Sequence, residues 1–189
     1  MPINANGFWE GTGPEVQGGH YYDPTLADAL VQFFKNENVQ TLVDFGCGDG
    51  KYVKKFRENA INAHGFDGNP NTPEYTNNTC GVLDLSVPFK FTDTIDWAMS
   101  LEVGEHLPKE FEDNFILNLH NNNKHGILLS WALEGQGGYG HFNERNNEYI
   151  KKKICALGYI NDLHVENYIR SNATIWWFKN TIMVFRKIM

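Results

Sequence analysis

The sequence predicts an α/β fold: a doubly wound, mostly parallel seven-stranded sheet with an antiparallel C-terminal hairpin. Three observations predict it. Short β-prone runs alternate with amphipathic helical runs from residue 24 onward, the pattern of a parallel sheet covered on both faces. The first β-prone run ends in Gly46-Cys47-Gly48-Asp49-Gly50 and passes straight into a helical run; such a turn lets backbone approach a ligand at a helix N-terminus. The last two β-rich stretches show no helical pattern between them, which calls for an antiparallel pair at one edge of the sheet.

The elements follow in order. Residues 1–23 are polar and rich in glycine and aromatics, among them Phe8, Trp9, Tyr21 and Tyr22, and read as an irregular arm on one domain spanning 1–189. Asp23 can cap a helix and Pro24 suits its first turn. Leu26, Ala29, Leu30, Phe33 and Phe34 continue it at helical spacing to about residue 36. A strand over 41–45, a helix over 51–59 and a second strand over 62–67 come next, the last halted by Gly68-Asn69-Pro70. Residues 80–85 and 94–101 are the third and fourth strands. A helix over 108–120 carries Phe111, Phe115, Ile116 and Leu119 on one face, and 125–132 is the fifth and most apolar strand. A glycine-rich loop over 133–143 leads to a helix over 144–157, with Asn143 as a candidate N-cap and Gly158 as the stop. The final strands are placed at 159–168 and 176–188, with Trp176-Trp177-Phe178 packing at the sheet edge.

Composition narrows the function. With 189 residues, 41% hydrophobic and 21% charged, the chain is an ordinary globular one. A formal charge of −7 and a pI near 5.4 disfavour a grip on duplex nucleic acid, and the one dense basic run, Lys151-Lys152-Lys153, suits a solvated helix face. No apolar run reaches membrane-spanning length, and the first residues show no leader pattern. Cys47, Cys80 and Cys155 form no CxxC pair, so the expectation is a reducing cytoplasm without a disulfide framework.

The strongest motif is acidic-x-G-x-G-x-G, formed by Asp44, Gly46, Gly48 and Gly50 between strand and helix. A dinucleotide fingerprint needs a third glycine near Lys51 or Tyr52, which this chain lacks. The pattern resembles the first motif of class I S-adenosylmethionine-dependent methyltransferases. The resemblance extends over about residues 20–132. Asp67, 17 residues after Gly50, stands where the family places a ribose-binding carboxylate, and Asp84-Leu85 where it places an adenine-side contact. Ser100-Leu-Glu-Val-Gly-Glu-His106 is similar to its fourth-strand motif. The resemblance implies a Rossmann-like methyltransferase fold and S-adenosylmethionine as cofactor, S-adenosylhomocysteine being the product. The implied cofactor contacts are Tyr22 of the arm, Asp44, Gly46, Cys47, Gly48, Gly50, Asp67, Asp84, Leu85, Leu101 and Glu102.

The loop after the fifth strand, Glu134-Gly-Gln-Gly-Gly-Tyr-Gly-His-Phe-Asn143, looks like one found in a subgroup of that family, where it borders the acceptor. Gln136, Tyr139 and Asn143 are the expected acceptor contacts. Methyl transfer to a hydroxyl requires loss of a proton, for which a neutral histidine is suited. His141 is the first choice of base and His106 the second. The other histidines have no motif context. No spacing such as H-E-x-x-H is present, Glu102-x-x-Glu105-His106 is a weak cation pattern, and no metal is expected. The expected function is methyl transfer to a small polar or glycan-like acceptor, first a sugar hydroxyl. The alternative is a non-catalytic S-adenosylmethionine-binding partner subunit. No oligomeric state follows from the sequence.

Overall fold

Asp23 accepts a hydrogen bond from Leu26 N (3.1 Å) and so starts helix α1, Pro24–Asn36. In this computed structural model, which describes residues 2–12 and 18–188, α1 is followed by strand β1 (Thr41–Phe45), α2 (Lys51–Glu58), β2 (Asn62–Asp67), the single turn α3 (Thr72–Tyr75) and β3 (Cys80–Val82). Then come β4 (Trp97–Leu101), two 3-10 turns (Gly104–His106 and Lys109–Phe111), α4 (Glu112–Asn121), β5 (Gly126–Ser130), α5 (Asn147–Ala156), β6 (Tyr159–Asn161), α6 (Leu163–Asn172), α7 (Phe178–Thr181) and β7 (Met183–Lys187).

The strands form one sheet in the order β3-β2-β1-β4-β5-β7-β6. The first five are parallel, and β7 is antiparallel to both β5 and β6. Alternation along the strands separates two cores. Leu42, Trp97, Leu128 and Val184 face α1, α2 and α6 through Phe34, Phe56 and Ile169. Val43, Ala98, Ile127, Leu129, Met183 and Phe185 face α4 and α5 through Phe115, Leu119, Ile150 and Ile154. The order of the strands reverses between β1 and β4, and the crevice at the carboxyl ends there is where ligands bind in such sheets.

The doubly wound sheet with antiparallel C-terminal strands is therefore as predicted, but three local expectations are corrected. The C-terminal pair is not a hairpin: α6 and α7 intervene between β6 and β7. Asp162 accepts from Val165 N (3.1 Å) and caps α6, overriding the β-prone look of Val165, Tyr168 and Ile169. Trp176 and Trp177 consequently leave the sheet edge for the loop before α7. Helix α5 begins at Asn147 rather than 144, because Asn146, and not Asn143, is the cap that accepts from Tyr149 N (3.0 Å). Strands β3 and β4 are shorter than expected, ending at Val82 and starting at Trp97. Among the described residues, no helix is long and apolar enough to cross a membrane.

Candidate functional site

The turns that follow β1 through β5 meet over this crevice and enclose a cavity of about 430 Å³, within the range of small-molecule sites. The turn after β1 forms one end. Gly48 has φ +52°, and a Cβ there would lie 2.5 Å from Nδ1 of His20, so the arm packs directly on this glycine. Asp67, at the end of β2, accepts from Gly48 N and Asn69 N, both at 3.0 Å. Each of its oxygens keeps a second lone pair for a ligand hydroxyl. Asp44 is buried on the cavity floor, where burial and then Cys80 and Asp67 push its carboxyl well above the ordinary range.

The arm closes the cavity from above. Ile3 and Trp9 form an antiparallel bridge, and Phe8 packs where a Cβ on Gly68 would stand. Asn6 Nδ2 donates to Asp84 Oδ2 (2.6 Å), while Asp84 Oδ1 accepts from Ser86 N and Oγ. The indole of Trp9 stacks on His20 (5.1 Å between centroids) and meets His106 edge-on (5.3 Å). Tyr22 lies 4.9 Å from Tyr52, and both line the cavity.

The turns after β4 and β5 build the opposite end. Glu102 has φ +54°, an unusual conformation for a non-glycine residue. Its carboxylate accepts from Gln136 Nε2 (2.8 Å) and Thr181 Oγ1 (3.0 Å), and burial raises its carboxyl above the usual range. Glu105 is fully buried. His106 Nδ1 donates to Gly140 O (3.1 Å), and burial together with the neighbouring His141 holds this imidazole down at about 4. His141 Nδ1 pairs with Glu144 Oε1 at 3.0 Å. Burial opposes ionisation of Glu144, but that bond and those from Gly135 N and Gly137 N keep its carboxyl below the ordinary value.

The structure brings together twelve of the cofactor and catalytic residues read from sequence, along with Gln136 and Tyr139. Two fall elsewhere. Gly50 turns away from the cavity: it is the left-handed N-cap of α2 (φ +72°), and a Cβ on it would meet Cys80 Sγ at 3.0 Å. Asn143 is buried behind the loop, donating to Glu112 Oε2 at 3.0 Å, so it holds the loop in place and does not line the cavity. The sequence reading missed His20, Glu144 and Trp177, all of which had ordinary local contexts. It discounted Glu105, whose neighbour His141 lies 36 residues further along.

Similar architectures occur among solved structures. The magnesium protoporphyrin IX methyltransferase of Synechocystis PCC 6803, with bound SAM, is 17% identical (TM-score 0.66), covering 94% of this chain and 86% of that one. An amino pentose methyltransferase from Micromonospora echinaspora, also SAM-bound, is 12% identical (TM-score 0.66; 90% and 93% covered). A TehB-like SAM-dependent methyltransferase from Corynebacterium glutamicum is 14% identical (TM-score 0.65; 93% of each). No curated protein sequence matches this one significantly. Residues 19–130, more than half of the chain, match the family profile described as Methyltransferase domain, and the chain belongs to that family.

Proposed function

We propose that this methyltransferase uses S-adenosylmethionine to methylate a hydroxyl of a small polar acceptor, with a sugar as the first choice. The observation that carries the reading is a single cavity with two chemically different ends: a glycine turn with Asp67 and Asp44, and a histidine pair held by Gly140 and Glu144. The cofactor supplies an electrophilic methyl group on a sulfonium sulfur. Asp67 accepts the ribose hydroxyls, and the buried Asp44 favours the ammonium of the methionine moiety, because a cation relieves an ionised carboxylate held away from water. Gly46, Cys47 and Gly48 give the backbone its close approach, while Leu85, Leu101 and the Asn6-bound Asp84 shape the adenosine pocket and Glu102, bonded to Gln136, joins it to the opposite end. Tyr22 offers its ring to the sulfonium.

At the other end, His141 is oriented by Glu144 and takes the acceptor proton, with His106 beside it (ring centroids 4.9 Å). Gln136, Tyr139 and the loop aromatics Trp176 and Trp177 border the acceptor. Aromatic faces suit the C–H face of a sugar. The amino pentose enzyme among the similar structures supports the same class, and the unpaired cysteines suit a reducing compartment. The test is incubation of the purified protein with S-adenosylmethionine and a panel of sugars, amines and carboxylates. S-adenosylhomocysteine released together with an O-methylated sugar is expected. Turnover with amines or carboxylates alone overturns the acceptor class, and cofactor binding without any turnover favours a binding subunit.

A further inference from the structure

Glu105 is a buried acid whose burial is little offset by its described neighbours. It is 0% exposed, and among the described residues neither carboxylate oxygen has a hydrogen-bond partner. Desolvating a carboxylate without a donor is strongly unfavourable. Burial, then Glu102, raises its carboxyl well above the ordinary range, and Glu144 adds to this, while the backbone of Glu105 and Ala132 offsets only part of it. No lysine or arginine among the described residues lines the cavity. Neutralisation must therefore come from a proton or from a bound cation.

The neighbouring histidines favour the cation. One ligand atom each from Glu105, His106 and His141 lies within 4.8 Å of the others. A carbonyl oxygen can only accept, so the bond to Gly140 O places the His106 hydrogen on Nδ1 and leaves a lone pair on Nε2. The carboxylate of Glu144 does the same for His141. Metal-binding histidines are held in this way, with one nitrogen donating to a carbonyl or carboxylate and the other free to coordinate. Bonds of about 2.1 Å place ligand atoms roughly 3.0–3.4 Å apart, so the three groups close on an ion by side-chain adjustments of at most about 1.8 Å.

We propose that Glu105, His106 and His141 bind a divalent transition-metal ion at the acceptor end of the cavity, with coordination positions left open for acceptor oxygens. Two imidazoles and one carboxylate suit ions from manganese to zinc better than magnesium or calcium. The inference rests on the reading of this cavity as the methylation site, and it changes the part of His141 from free base to ligand. An acceptor hydroxyl on the ion loses its proton to solvent at near-neutral pH, as metal-bound water does. The O–CH3 bond then forms as the S–CH3 bond of S-adenosylmethionine breaks, leaving neutral S-adenosylhomocysteine. An acceptor with two adjacent oxygens, such as a sugar diol, can occupy two open positions.

The experiment uses full-length protein stripped with chelator and titrated with Mn2+, followed by loss of the free-ion electron paramagnetic resonance signal, and separately with Zn2+ by calorimetry. One ion per chain is expected, abolished in Glu105→Gln and in the His106→Ala/His141→Ala pair. Glu144→Gln, which disturbs the orientation of His141 and the turn held through Gly135 N and Gly137 N, should weaken binding about 10–100-fold. Glu105→Gln removes a buried charge, so the ion-free variant should melt at least as high as wild type, which separates lost coordination from lost folding. No stoichiometric binding, or binding unchanged in the double variant, overturns the proposal. S-adenosylhomocysteine binding measured on the same samples distinguishes the two readings. Its absence with ion binding intact refutes the cofactor assignment alone, and its presence without ion binding refutes the ion alone.

Discussion

Replacing Glu112 with glutamine tests how the acceptor loop is held. The Glu112 carboxylate, with a side chain only 3% exposed, accepts from Arg145 Nε (2.7 Å), Asn143 Nδ2 (3.0 Å), Tyr149 Oη (2.6 Å) and the Lys153 ammonium. Asn143 and Arg145 flank the loop that carries His141. Burial alone would raise this carboxyl, but the bonds from Lys153, Tyr149, Asn143 and Arg145 outweigh it and hold the group at about 2, against 4.5 ordinarily. That difference corresponds to about 3 kcal/mol of stabilisation. Because the folded value is depressed, the contribution is complete above pH ~4.5 and is lost as pH falls from there towards ~2. Urea unfolding of wild type and Glu112→Gln across pH 2–7 is the assay. The gap between them should be near 3 kcal/mol at pH 7 and should shrink steadily below pH ~4.5. Curves that run parallel through the acid range would refute the assignment of Glu112 as the charged hub. Turnover of the variant should fall with little change in cofactor affinity, since the hub touches the loop and α5 and not the glycine-turn end of the cavity.

Asp67→Ala should weaken S-adenosylhomocysteine binding by about 1–3 kcal/mol in calorimetry, the scale of lost charge-assisted hydrogen bonds; unchanged affinity refutes the ribose role. Gly48→Val places a side chain where φ is +52° and where His20 packs, which costs about 1–2 kcal/mol in backbone conformation alone. It should abolish cofactor binding and release the arm, seen as a loss of the Trp9 near-ultraviolet signal. Asp23→Ala removes the cap of α1 and the acceptor for Thr174 N and Ile175 N (2.5 and 2.8 Å). About 2–4 kcal/mol of stability should be lost in chemical denaturation, and the KM for the acceptor should rise, because the freed segment runs into Trp176 and Trp177.

The parts of this molecule that were legible in the sequence are those written in local rules. Leu26 to Phe34 show their helix by period, Thr41–Phe45 its strand by β-propensity, and Gly46 to Gly50 the turn by composition, so the sheet and the glycine-turn end of the cavity could be read in order. At the opposite end His106, Gln136, Tyr139 and His141 could be picked out by loop composition, but their spatial neighbours could not. Glu105 and His141 are joined only by the placement of β4 beside β5, and His20 reaches Gly48 only because the arm folds back across the sheet edge. Likewise α6 was obscured because its β-branched and aromatic residues satisfy a strand pattern, and the Asp162 cap that decides the matter is a single hydrogen bond. Asn143 and Asn146 are equally good caps by residue type. The buried carboxylate of Glu112, 31 positions away from Asn143, selects between them.

Several departures from ordinary protein construction line one cavity. Glu102 is held at positive φ, Asp44 and Glu105 are buried acids, and Trp9 Nε1, His20 Nε2 and both Glu105 oxygens are buried without partners among the described residues. All of them line the same cavity. Many buried polar groups elsewhere are satisfied: Asn118 donates to Leu85 and Val87, Ser100 to Phe45, and Asn122 to Phe89 and Asn118, while Asn123, Asn143 and Asn147 each keep a buried amide oxygen without a partner among the described residues. Two unpaired buried carboxylate oxygens, two unpaired buried ring nitrogens and a non-glycine residue at positive φ on one cavity fit a site whose partners arrive from solution. The two proposed cations, a sulfonium with its ammonium beside Asp44 and Tyr22 and a metal ion beside Glu105, would leave between them the space in which an acceptor oxygen meets a methyl group.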